Sequence, residues 1–153
     1  MSNKTRLVLD IGLLLAFLVA FSPGATGISV HEWLSLAIGV PTLIHLVINW
    51  DWVVRVAGNV LGKIRATSRV NLAVDMALFV ATITVMLSGL LVSQVIATSL
   101  GLALTPDAIW YAVHSASATI SVVLLTIHFA LHAPWAVRIA RGWLAPSPTE
   151  VAS

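Results

Sequence analysis

The chain contains no cysteine. That excludes disulfides, thiolate metal sites, iron–sulfur clusters and thioether-attached c-type haem. Charge is also scarce. Only 9% of the 153 residues are Asp, Glu, Lys or Arg, whereas a soluble domain carries about 25%. So few charges cannot cover a globule in water. There is no basic run that could track phosphates, and the net charge is only +2. The isoelectric point near 9.7 therefore does not signal nucleic acid, which is excluded as a partner. Histidine, at five residues, is the one common metal ligand left in any number besides scattered carboxylates.

What is present is apolar: 59% of the residues are hydrophobic and the mean hydropathy is +1.00. A helix needs about 20 mostly apolar residues to cross a bilayer. Four segments qualify, at 6–22, 31–54, 70–96 and 106–137. The expected fold is an all-α membrane protein, a single four-transmembrane-helix domain over 1–153 with a short cytoplasmic tail at 138–153. The linkers carry the usual breakers: "SPGATG" (22–27), "GNVLGKIRATS" (58–68) and "TSLGLALTPD" (98–107). Thr105-Pro106-Asp107 reads as a helix start, with Thr as cap and Pro at the first position. The first run also has the outline of a secretory signal. Asp10 interrupts it, and the repeat described next gives it a structural role, so it is expected to be retained.

All basic residues, Lys4, Arg6, Arg55, Lys63, Arg65, Arg69, Arg138 and Arg141, lie at the two ends and in the middle linker. The positive-inside rule makes these regions cytoplasmic, so both termini face in.

The chain also repeats itself. A shift of 83 residues lays His31 on His114, His45 on His128, Trp52 on Trp135 and Arg55 on Arg138, the pattern H-x13-H-x6-W-x2-R. A shift of 65 lays Asp10 on Asp75 and Gly24 on Gly89. Leu and Val align by chance, but rare residues at fixed spacing do not. The pattern predicts a duplicated helical hairpin whose second and fourth spans run in the same direction.

Fourteen residues of helix turn about 1400° and rise about 21 Å. His31 and His45 therefore share one face, as do His114 and His128. Two parallel helices of this kind can present two facing imidazole pairs, each able to hold one metal centre axially. The separation suits two stacked haem groups: His31 and His114 would hold the outer, His45 and His128 the inner. Haem iron with two neutral imidazoles is six-coordinate and suited to electron transfer. A lone histidine in a span is more often a satisfied polar group or part of a proton relay. A histidine-based proton channel or transporter without haem is therefore the alternative. His132 breaks the repeat. It lies one turn after His128 and is either an alternative inner ligand or a contact for a propionate or quinone.

Other residues carry two readings each. Gly39 and Gly89 let a haem plane approach the backbone, or serve close helix packing. Gly24 belongs to a turn, and Pro41 kinks the second span. Arg55 and Arg138, with Arg69, meet inner propionates or snorkel to the interface. Asp10 and Asp75 are expected to form salt bridges or to sit at the interface, with a proton route to a quinone as the alternative. Trp33, Trp110 and Tyr111 donate to outer propionates or belong to the aromatic belts. Glu32 orients His31 or sits in water. No catalytic residue and no Gly-rich dinucleotide loop appears, although quinone- or superoxide-linked oxidoreduction at a haem edge stays open.

"HEW…HLVINWDWV", "SGLLVS" (88–93) and "HSASATISVVLLTIHFALH" resemble the small four-helix flavinylation-associated di-haem membrane cytochromes b, a family first catalogued as a domain of unknown function. The likeness runs over nearly the whole chain, and the "HEWL" start and the H-x4-W end of the second span are its most specific parts. It implies two haem b groups and electron transfer across a membrane. It also implies association with an extracytoplasmic protein carrying covalent flavin. The expected location is a bacterial inner (cytoplasmic) membrane. The remaining alternative is a haem-bearing anchor subunit of a larger dehydrogenase, whose other subunits would be separate chains.

Overall fold

The computed structural model describes residues 2–58 and 66–144. Every element among them is helical: α1 (Asn3–Ala20), α2 (Pro23–Thr26), α3 (Ile28–Ile48), α4 (Trp50–Gly58), α5 (Ala66–Val92), α6 (Val95–Ser99) and α7 (Ala108–Leu144). Among the described residues three helices are long and apolar enough to cross a membrane, over Ile28–Ile48, Ser68–Val92 and Ala108–Trp143. α1 is 18 residues long but carries Lys4, Arg6 and Asp10, which keeps it out of that set.

The boundaries follow local chemistry. The Ser2 hydroxyl accepts from the Thr5 backbone N–H and caps α1. Gly27, at φ 88°, separates α2 from α3 with a backbone that a side chain would strain. The expected second span divides at Asn49, whose side-chain amide donates to the His45 carbonyl at 2.8 Å. That bond offers the backbone an alternative to the helix, and the chain continues as α4. The expected third span divides likewise at Ser93–Gln94, giving α5 and α6. α7 begins at Ala108 rather than Pro106, with the Asp107 carbonyl accepting from Trp110 N. It then runs unbroken through Pro134.

α1 packs on α3 and α5 packs on α7, while the two hairpins meet each other more sparsely. Small residues make the close seam of the second hairpin: Ala81, Ser88, Ser117 and Ser121 are buried, and Ser88 and Ser121 are wholly enclosed. The large apolar residues point outward instead; Val40, Leu43 and Val47 are each more than 60% exposed. Such a surface is suited to lipid. Lys4 Nζ lies 5.6 Å from the centre of the Trp143 ring, so the start of α1 and the end of α7 lie at one end of the bundle.

Candidate functional site: two facing histidine pairs

α3 and α7 do not pack backbone to backbone. Side chains bridge the space between them. The rings of His31 and His114 have centres 6.0 Å apart with planes at 83°. The rings of His45 and His128 have centres 6.4 Å apart at 71°. Both pairs form together only because α3 and α7 run parallel, as the shift of 83 residues requires. The two pairs lie about 21 Å apart along the helices.

Two imidazoles that bind one metal from opposite sides, each at a metal–nitrogen distance of about 2.0–2.1 Å, have ring centres about 6 Å apart. Edge-on aromatic pairs fall in the same range, at about 4.5–7 Å. Spacing alone does not separate these cases; the other ring nitrogen does. Nδ1 of His31 donates to the Ala20 carbonyl, and Nδ1 of His114 to the Val85 carbonyl at 3.1 Å. Nδ1 of His45 meets Asp10 Oδ1 and Nδ1 of His128 meets Asp75 Oδ1, each at 2.7 Å. Carbonyls and carboxylates accept, so the proton sits on Nδ1 in all four rings. In the neutral ring Nε2 then carries the lone pair, and it makes no hydrogen bond among the described residues. This arrangement is typical of metal-binding histidines, whose remote nitrogen is fixed by an acceptor behind it.

The acceptors obey the repeat as well. Asp10 and Asp75 correspond under the shift of 65, and so do Ala20 and Val85. The carboxylates were expected to serve salt bridges or the interface; each meets a histidine. Their match in the repeat was the available signal. The carbonyls left no signal, since a backbone group does not show in a sequence.

A cavity of about 110 Å³ opens beside the outer pair, partly open to the surroundings. Phe17, Phe21, Met86 and Leu90 line it together with His31 and His114. Gly89 backs this pair: a Cβ there would stand 3.0 Å from His114 Cε1. A Cβ on Gly39 would meet the Met86 methyl at 2.9 Å. Gly24 has nothing within 4 Å of such a Cβ and belongs to the α2 turn. A second hollow, of about 310 Å³, lies against Gln94, Leu102 and Tyr111 and contains no histidine.

Glu32 neither holds His31 nor sits in water. It is buried, and its carboxylate accepts from Ser93 Oγ at 2.6 Å and from the N–H groups of Gln94, Val95 and Ile96 at 2.9–3.0 Å. It thereby caps α6 and ties α3 to the end of α5.

His132 packs on His128 with ring centres 4.6 Å apart, and its buried Nε2 has no hydrogen-bond partner. Asp75, His128 and His132 bring one donor atom each within 4.8 Å of one another. Arg55 Nε donates to the Asp51 carbonyl one turn back. Arg138 is exposed on α7, about 15 Å beyond His128 along the axis. Compared with protein-family models, curated proteins and solved structures, the chain matches none.

Proposed function

We propose that the chain is a di-haem b-type cytochrome that carries electrons across a membrane. The observation behind this reading is the pair of facing imidazole sets. They have ring centres 6.0 and 6.4 Å apart, and an acceptor on Nδ1 of every ring leaves Nε2 as the nitrogen available to a metal. His31 and His114 would hold the outer group, and His45 and His128 the inner. A haem iron so held exchanges one electron without changing ligands. Ala20, Val85, Asp10 and Asp75 fix ring orientation and tautomer. Phe17, Met86 and Leu90 keep the outer site apolar.

In this reading α1 is the fourth span, with Lys4 and Arg6 snorkelling at its end. Both termini are cytoplasmic under the positive-inside rule. The membrane is the bacterial inner membrane, and the protein belongs with the flavinylation-associated cytochromes. Its partners are a quinol on the inner side and a flavin-carrying protein or dehydrogenase subunit outside. The visible spectrum of the purified chain tests the proposal. Sharp reduced Soret and α bands, with two haems per chain, support it. A colourless protein after haem-replete expression would overturn it in favour of a histidine proton path.

The cluster of Asp75, His128 and His132 favours a second reading, in which the inner site takes a bare transition-metal ion. Equimolar metal without haem bands would select it.

A further inference from the structure

We propose that Asp10 and Asp75 hold the inner histidine pair at a lower reduction potential than the outer pair, so that an electron shared between the two sites rests at the outer end. The proposal rests on the di-haem reading above and adds a direction to it.

The two pairs share one geometry and differ in what lies behind the rings. Both inner rings donate Nδ1–H to a carboxylate, each at 2.7 Å. Both outer rings donate to a neutral backbone carbonyl. The difference is duplicated across the two hairpins, so each inner ligand has a carboxylate and each outer ligand a carbonyl. A carboxylate draws the Nδ1 proton toward itself and makes the ring a stronger donor through Nε2. A stronger donor favours the more positive, oxidised iron. Two anionic carboxylates one hydrogen bond from the ligands favour it again by charge.

Two features of the surroundings bear on the balance. Glu32 lines the outer cavity, but its carboxylate accepts from Ser93 and the N-terminal N–H groups of α6 and makes no bond to a histidine. At the inner end Lys4, Arg6, Arg55, Arg69, Arg138 and Arg141 favour the reduced state. Most are exposed, where water and salt screen them. Arg6 is half-buried one turn before Asp10 and opposes most strongly. The carboxylates touch the ligand rings, so their effect dominates.

With haem held at both pairs, the single electron of a half-reduced chain would move from the site of His45 and His128 to the site of His31 and His114, the inner iron being oxidised as the outer is reduced. No proton moves and no bond breaks. The chain is thus poised to pass electrons outward, from a reductant at the inner face to an oxidant outside.

The test is a spectroelectrochemical titration of the haem-loaded full chain at fixed pH. Two one-electron waves are expected. His31→Ala should remove the upper wave and His45→Ala the lower. Asp10→Asn and Asp75→Asn should shift the lower wave upward and leave the upper in place, while Asp10→Glu should restore its position. Should the Asn variants lose the inner haem, the wave surviving in His31→Ala decides, because it must be the lower. Loss of the lower wave in His31→Ala, or Asn variants that leave it unmoved, would overturn the proposal while leaving the di-haem reading intact. A wild-type chain that binds no haem would overturn that reading instead.

Discussion

Nδ1 of His31 donates to the carbonyl of Ala20, the last residue of α1. The contact joins two helices of one hairpin and aims a histidine of α3 at its counterpart on α7. His114 repeats it with Val85 in the other hairpin. Each site is therefore assembled from two halves, and each half supplies both a ring and the acceptor that orients it.

This division predicts selective loss. His31→Ala or His114→Ala should remove one haem and leave the other, and His45→Ala or His128→Ala should do the same at the inner site. Haem content per chain, with the reduced α band, reads the result. The two sites lie about 21 Å apart and share no ligand. Loss of both haems from each single variant, in protein that remains folded, would contradict the assignment.

His132→Ala should leave both haems in place. His132 packs on the His128 ring, but it is His128 that faces His45 across the gap. Loss of the inner haem in this variant would transfer the ligand role to His132. If bound metal ion falls in this variant while haem is absent from the wild type, the bare-metal reading is supported.

The fold was legible where rare residues repeat and illegible where single side chains decide. The histidine spacing and the shift of 83 contain the parallel α3 and α7 and both ring pairings. Asp10 and Asp75 were matched by the shift of 65, but a sequence does not say whether a carboxylate turns toward a basic neighbour or toward a ring 35 residues on. Asn49 looks like one more polar residue near a span's end. Only its bond to the His45 carbonyl explains why the helix divides there. Glu32 beside His31 suggested a ring partner, and its true partners lie more than 60 residues away. The charges of α1 separate it from the three clearly apolar spans, a distinction that run length alone conceals.

Glu32→Gln should destabilise the protein without removing a ligand. The buried carboxylate accepts four hydrogen bonds. Gln keeps one acceptor oxygen and turns an N–H group against backbone donors. Hydrogen bonds to charged groups contribute about 1.5–3 kcal/mol each, and partial loss should cost about 2 kcal/mol. In a chain of this size Tm should fall by about 4–8 °C, measured by thermal unfolding in detergent. An unchanged Tm would show that α6 does not depend on this cap.

The glycines rank by what stands before them. Gly89→Ala places a methyl 3.0 Å from the His114 ring, and a ring held on Val85 cannot retreat freely. The outer haem bands should shift or weaken, and Gly89→Val should remove that haem. Gly39→Ala meets only the end of Met86, a flexible side chain that can turn away, so its spectrum should stay close to wild type. Gly12→Ala meets nothing and should raise stability by about 0.5–1 kcal/mol. Equal spectra for all three would remove Gly89 from the site.

The lack of native cysteine allows a background-free test of whether α1 crosses. Ser2 and Ala25 are exposed at opposite ends of α1, and Ala103 is exposed between α6 and α7. In the four-span arrangement Ala25→Cys and Ala103→Cys should react with a membrane-impermeant thiol reagent added outside intact cells. Ser2→Cys should react only after the membrane is opened. If α1 does not cross, Ser2→Cys and Ala25→Cys will label together from one side. Charge favours crossing with the N-terminus inside, because Lys4 and Arg6 lie within the first turns and the segment beyond Asp10 is wholly uncharged to the end of α1. The histidine pairs make the same demand. Asp10 and Ala20 orient His45 and His31 from α1, at levels ten residues and about 15 Å apart along its axis. A helix that lay along the surface could not reach both.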